Sequence, residues 1–109
     1  MFACYEDYET FISGRISKLR SQKKVSARDM SLSIGQGAGY ISNIENKNNM
    51  PSMQGLYFIC EYFQITPNDF FGEEIENPML LNEIIKKIKP LNDKTLEAMR
   101  VFLEELSKK

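Results

Sequence analysis

Residues 26–45, SARDMSLSIGQGAGYISNIE, decide the fold of this chain, because they contain two short helical patterns separated by glycines. Ser26 is a favourable N-cap for the first helix, and Asp29 stands at the capping-box position behind it. Gly35 follows where a helix end favours a left-handed residue. The pattern predicts a second short helix from about residue 38 to residue 45, so the stretch forms two helices joined by a tight turn.

The apolar residues of this stretch fall on one side of each helix and are predicted to face the core. They are Met30, Ile34, Ile41 and Ile44. The residues left on the outward side of the second helix are Ala38, Gly39, Ser42 and Asn43. A short helix presented in this way fits the major groove of DNA, which is about 12 Å wide.

The rest of the chain also has helical periodicity and no strand-like alternation. One helix is predicted at residues 8–22, another is predicted to begin after Ser52, and a short one is predicted to follow Thr66. The predicted core residues of the two longer helices are Tyr8, Phe11, Ile12, Ile16, Leu19, Met53, Leu56, Ile59, Cys60 and Phe63. Phe70 and Phe71 are predicted to close the bottom of this core.

Residues 73–78 are acidic and polar and are predicted to be a linker. Two amphipathic helices are predicted beyond it, at 79–89 and 93–107, with Asn92 as an N-cap. Their apolar stripes, which together we call the C-terminal apolar face, are Leu80, Leu81, Ile84, Ile85 and Ile88, then Leu96, Met99, Phe102, Leu103 and Leu106. This face is too large to stay wet, so residues 79–109 are expected to form a helical hairpin that folds back or pairs with a second chain.

Charge is distributed unevenly, although the net charge of the chain is only −1. Residues 10–60 carry seven basic and two acidic residues, whereas residues 1–9 and 61–80 carry acidic residues only. A local basic segment matters more for attraction to phosphate than the total charge does. The competing interpretation is that these cations only solvate the surface of the first helix.

The residue types present do not predict an enzyme, a metal site or a cofactor. The chain has no histidine, which is the commonest general base and metal ligand. Cys4 and Cys60 are too few and too far apart for a zinc site, and a reducing compartment disfavours a disulfide. No signal-peptide pattern and no membrane-spanning run is present, so a cytoplasmic protein is expected.

The chain resembles the Cro/cI-type helix-turn-helix family, the lambda-repressor-like or XRE-family regulators, over about residues 10–72. The resemblance rests on the motifs Ile12-x-x-Arg15-Ile16-x-x-Leu19-Arg20, Ser26-x-x-x-Met30-Ser31-x-x-Ile34-Gly35, Tyr40-Ile41-Ser42-Asn43-Ile44-Glu45, Pro51-Ser52-Met53-x-x-Leu56-x-x-Ile59-Cys60 and Ile65-x-x-x-x-Phe70-Phe71. It implies an all-α fold, with a five-helix DNA-binding domain at residues 8–72. It also implies a sequence-specific transcriptional regulator, and we expect a repressor that acts as a homodimer on a palindromic operator.

The resemblance further implies roles for individual residues. A recognition helix that begins near Gly37 would face the bases of double-stranded DNA with Ala38, Gly39, Ser42 and Asn43. The DNA backbone would be contacted by Ala27, Gln36, Gly37, Tyr40, Lys47 and Asn48. Arg20 and Glu45 would form a structural ion pair between the first helix and the recognition helix.

Two base-facing positions depart from the family pattern, because members often carry Gln, Arg or Ser where this chain has Ala38 and Gly39. Ala38 offers only a methyl group and Gly39 has no side chain. The glycines either let the backbone approach DNA closely or only relax a tight turn. Asn43 can pair with adenine and is the best candidate reader, unless it is only a solvated surface residue.

These departures leave a second function open. The chain could be a protein-interaction module, antitoxin-like or an adaptor, that keeps the fold with weak or no DNA readout. The acidic total charge also favours this alternative.

Overall fold

The computed structural model describes residues 2–72 and 74–108 and shows an all-α fold, which confirms the predicted fold class. Within these residues there is no strand. The helices are α1 (Tyr5–Lys23), α2 (Ala27–Ser33), α3 (Tyr40–Glu45), α4 (Met53–Phe63), α5 (Pro67–Phe71), α6 (Pro78–Ile88) and α7 (Asp93–Ser107). Residues 73 and 109, the first of the predicted linker and the last of the predicted hairpin, lie outside the described residues.

Side-chain caps start four helices at the positions that the sequence predicts. Ser26, Ser52, Thr66 and Asn92 each accept a hydrogen bond from the backbone N–H three residues further on. Thr66 forms a complete capping box, because its own N–H donates to the Asp69 carboxylate at 3.2 Å. Each cap satisfies a backbone donor that has no partner inside its helix.

Two helices begin two or more residues away from their predicted starts. α1 begins three residues early, at Tyr5, because Glu6 and Asp7 are favourable in a first turn, where the helix dipole is positive. α3 begins late, at Tyr40, since a glycine inside a helix costs about 1 kcal/mol and two glycines precede it. The N–H of Tyr40 donates to the carbonyl of Gly37 at 3.1 Å, so residues 37–39 form a turn that leads into the helix.

The first five helices enclose an apolar core. Its buried members are Ile12, Ile16, Leu19, Met30, Ile41, Ile44, Ile59, Cys60, Phe63, Ile65 and Phe70. The prediction that Met53 belongs to this core is wrong, because Met53 is 92% exposed. It is the first residue of α4, and helical side chains tilt towards the N-terminus, so its side chain extends past the packed turn. Phe71 is also 36% exposed and only borders the core.

The chain divides into two compact units, the first ending at Pro78 and the second beginning at Met79. The first unit contains the core. No residue of α7 is buried, and the only buried residue of α6 is Pro78, with which the first unit ends. Among the described residues, no helix is both long enough and apolar enough to cross a membrane.

Candidate nucleic-acid interface

α2 and α3 are joined by a tight turn that depends on one glycine. Gly35 has a φ of +79°, as the sequence predicts, and a side chain would be strained in this left-handed conformation. The N–H of Gly35 donates to the carbonyl of Leu32 at 3.1 Å, and the N–H of Gln36 donates to the carbonyl of Ser31 at 2.9 Å. These two bonds close the end of α2 and set the direction in which the chain leaves it.

Ser31 of α2 holds the start of α3. Its side chain is fully buried, and its hydroxyl donates to the carbonyl of Ala27 at 2.7 Å. The same oxygen accepts the N–H of Ile41 at 2.9 Å. That donor lies in the first turn of α3, where no intrahelical acceptor exists. Ser31 therefore replaces the N-cap side chain that Gly39 lacks.

Ser13 of α1 holds the other end of α3. Its hydroxyl is buried and donates to the carbonyl of Ile44 at 2.7 Å. The same carbonyl also accepts the N–H of Lys47 at 3.0 Å, so the bond from Ser13 is a second bond that ties α1 to the end of α3. α3 has only six residues, and buried hydroxyls from two other helices fix both of its ends.

Arg20 and Glu45 join α1 to the end of α3 through a two-pronged ion pair. Nε of Arg20 donates to Oε2 of Glu45 at 2.8 Å, and Nη2 donates to Oε1 at 3.1 Å. The two side chains are only 23% and 15% exposed, and Nη1 also donates to the carbonyl of Val25 at 2.9 Å. Hydrogen bonding to the carboxylate raises the pKa of Arg20 above its ordinary value. Such a pair has fixed geometry as well as charge, so it sets the orientation of α3.

The residues predicted to meet DNA surround the outward side of α3. They differ in exposure. The exposed ones are Gln36, Gly37, Gly39, Asn43, Lys47 and Asn48. The half-buried ones are Ala27, Ala38, Tyr40 and Ser42. The amide nitrogen of Asn43 would be 3.9 Å from a Cβ added at Gly39, so these two predicted base-facing residues are neighbours. The carbonyl of Asn43 accepts the N–H of Asn48 at 2.8 Å, which ties the following loop to the helix.

Tyr40 packs against α4 rather than standing free. A Cβ added at Gly55 would lie 2.6 Å from the hydroxyl oxygen of Tyr40, so a residue larger than glycine at position 55 would displace it. Burial raises the pKa of the Tyr40 hydroxyl. The side chain is half-buried and keeps part of its surface in solvent.

Lys47 follows α3 in the left-handed conformation, with a φ of +62°. Its ammonium donates to the hydroxyl of Thr10 on α1 at 2.9 Å, a contact that the sequence does not predict. An ammonium has three donors, so this bond leaves the exposed Lys47 able to donate to a phosphate as well.

Several of the basic residues between positions 10 and 60 interact with other groups of the first unit. Arg15 is buried among backbone carbonyls, Arg20 is paired with Glu45, and Lys18 lies 3.7 Å from the carboxylate of Glu76. The ammonium of Lys23 lies 5.1 Å above the ring of Tyr62. The positive charge counted from the sequence therefore overstates the charge that phosphate would meet.

Sequence reasoning missed Ser13 and Ser31 as residues that position the interface. Each is a small polar residue next to an apolar core residue, Ile12 and Met30. A serine beside an apolar stripe is the signal that could have identified them. The sequence does not reveal the backbone groups with which they bond, because those groups lie ten and 31 positions away.

The fold and this surface define a helix-turn-helix protein, in which α2 and the turn present α3 outward. A family model described as a helix-turn-helix domain matches residues 14–78, which is more than half of the chain. The chain belongs to the helix-turn-helix domain family. Such domains typically bind DNA and regulate rather than catalyse, so membership indicates a DNA-binding regulator. No curated protein and no solved structure matches the chain.

Substitution of Ser31 by alanine is expected to lower the free energy of unfolding by about 1.5 kcal/mol, because the buried N–H of Ile41 loses its acceptor. Urea denaturation followed by circular dichroism measures this loss. Ser21→Ala is the matched control, since Ser21 is exposed and also helical. Equal stability of the two variants would show that Ser31 does not hold α3.

Proposed function

We propose that this protein is a sequence-specific transcriptional regulator of the Cro/cI type, a repressor that binds a palindromic operator as a dimer. The observation that carries the proposal is how firmly α3 is held by the helices around it. The helix is held at both ends by Ser31 and Ser13 and joined to α1 by Arg20, while Asn43 on its outward side is exposed. A rigid exposed helix of this kind suits insertion into a major groove.

Asn43 supplies the direct reading of sequence in this proposal. It is exposed on α3, and its amide can donate to N7 and accept from N6 of an adenine, where a wrong base costs about 1–3 kcal/mol. Ser42 adds a hydroxyl that bonds to several bases. Ala38 and Gly39 contribute shape, with Ala38 placed for a thymine methyl group.

The backbone contacts surround this helix. Lys47 and Asn48 lie in the loop after α3, Gln36 and Gly37 lie in the turn before it, and Ala27 begins α2. Tyr40, with its half-buried hydroxyl, borders α4. These contacts position the helix on the duplex and carry no sequence information themselves.

Dimerisation follows from the small number of base contacts. One α3 offers two polar side chains to the bases, Ser42 and Asn43, which is too few for high selectivity. A two-fold dimer would read two half-sites about 34 Å apart and double the contacts. An inverted repeat is therefore the expected form of the operator.

The test begins with selection of bound duplexes from a random library at low salt, followed by affinity measurements on the selected site. Asn43→Ala is expected to weaken binding to that site about 20-fold and to bind an altered adenine position as well as the original. Lys47→Ala is expected to weaken all duplexes similarly and to reduce the salt slope by about one.

Asn68→Ala is the matched control, because Asn68 is exposed in α5 and outside this surface. It should bind like the parent protein. If the selection yields no enriched sequence and the parent protein captures one protein partner stoichiometrically, the interaction-module alternative replaces this proposal.

A further inference from the structure

Most residues of the C-terminal apolar face are exposed. Seven of its ten residues are exposed, with fractions from 38% for Leu81 to 63% for Phe102. α6 has 11 residues and α7 has 15, and helices of this length are marginal in water without packing. These two helices therefore require something that covers their apolar side.

The exposed surface has the size of one half of a protein interface. The exposed fractions of the seven residues amount to roughly 700 Å² if a large side chain has about 200 Å². A stable interface buries about 800 Å² on each partner. A groove lined by Ile88, Leu96, Met99 and Leu103 adds a concave site for a side chain of the partner.

Charge identifies the partner as a second copy of this chain. α6 (residues 78–88) carries two lysines against one glutamate, whereas α7 (residues 93–107) carries four carboxylates against two cations. α6 is thus positive and α7 negative. A second copy offers each helix a partner helix of opposite charge.

We propose that two copies associate through the C-terminal apolar face, with α6 of each copy packed against α7 of the other. The four helices then alternate in charge around a shared apolar core. Packing of α6 on α6, or of α7 on α7, would bring like charges together, and such pairs are disfavoured. This inference deepens the proposed function. Only the use of the dimer on DNA rests on that function.

The apolar part of the proposal is tested with Phe102→Asp in the full chain. Sedimentation velocity without DNA should show a dimer for the parent protein and at least a 100-fold weaker association for the variant. Phe102 is 63% exposed, so the change removes no core contact of the single chain. Tyr5→Asp is the matched control, because Tyr5 is also 63% exposed but lies in the first unit, and it should stay dimeric.

The arrangement of the helices is tested by charge reversal. One variant carries Lys86→Glu with Lys87→Glu, which makes both helices negative, and the other carries Glu104→Lys with Glu105→Lys, which makes both positive. Each alone should associate at least tenfold more weakly than the parent protein. An equimolar mixture should recover the parent affinity as a heterodimer, because every α6 then faces an α7 of opposite charge.

Each outcome decides the proposal. A parent protein that is monomeric at 100 µM overturns it. Variants that self-associate like the parent, or a mixture that does not recover, overturn the α6-to-α7 arrangement. Circular dichroism of each variant checks that its helices persist. The measurement contains no DNA, so a dimer that fails to bind any duplex contradicts only the proposed function.

Discussion

Replacement of Arg15 by methionine is expected to lower the free energy of unfolding by about 3 kcal/mol, because a buried cluster of carbonyl groups loses its donors. Arg15 is only 8% exposed. Its Nε donates to the carbonyl of Phe70 at 2.8 Å and its Nη2 to that of Asp69 at 2.7 Å. Weaker bonds from Nη2 reach Gly72 at 3.2 Å and Ile75 at 3.4 Å.

The size of this effect comes from where the carbonyls lie. Those of Asp69 and Phe70 belong to the last turn of α5, which is the negative end of the helix. A cation is favourable there, and these carbonyls have no donor inside the helix. Methionine has a similar length and fills part of the space, but it has no hydrogen-bond donor. The carbonyls therefore become buried and unpaired.

Guanidinium denaturation of the full chain measures the loss. Arg15→Lys should recover only part of the stability, because an ammonium cannot reproduce the planar fork of the guanidinium. Arg28→Met is the matched control, since Arg28 is exposed on α2, and it should change stability by less than about 0.5 kcal/mol. If Arg15→Met and Arg28→Met are equally stable, the carbonyl cluster does not depend on Arg15.

Replacement of Glu45 by alanine is expected to cost about 2 kcal/mol and to weaken DNA binding, because the partly buried Arg20 loses its counter-charge. The cost is less than for a fully buried pair, because both side chains keep some exposure to solvent. The effect on DNA binding follows from the place of Glu45 at the end of α3. Without the pair, the end of the helix keeps the bond from Ser13 and the packing of Ile44 but loses the contact that fixes its angle to α1.

A double-mutant cycle with Arg20→Met and Glu45→Leu separates the pair from its parts. The double variant should be more stable than Glu45→Leu alone, because no unpaired charge remains. It should still bind the selected duplex less tightly than the parent protein, since apolar side chains do not fix the angle of α3. Additive single effects with no coupling would contradict a structural role for this ion pair.

Local sequence signals predicted the helices of the first unit well, and the errors have physical causes. Caps at Ser26, Ser52 and Thr66 depend on residues three positions apart, so they are visible in the sequence. The start of α3 was predicted too early, because the two glycines before Tyr40 favour a turn over a helix. Met53 fits the apolar spacing, but periodicity does not show where a helix extends past the core.

The candidate site, like the fold, was predicted from the sequence only in part. The spacing of Ser26 to Glu45 predicted which residues surround the outward face of a short helix, and their roles on DNA remain predictions. The fixing of that helix by Ser13 and Ser31, the contact of Lys47 with Thr10 and the place of Tyr40 over Gly55 were not predicted. Each of these contacts joins residues at least ten positions apart in the sequence.

The sequence by itself determined the helical class, the turn at Gly35 and most of the apolar core, because these depend on spacing within one helix or across one turn. Only the tertiary structure decided which backbone groups Arg15, Ser13 and Ser31 satisfy, and how much cationic surface remains outside. The physical reason is that buried polar groups must find partners wherever the packed helices bring them. Most of those partners lie between ten and 60 residues away along the chain.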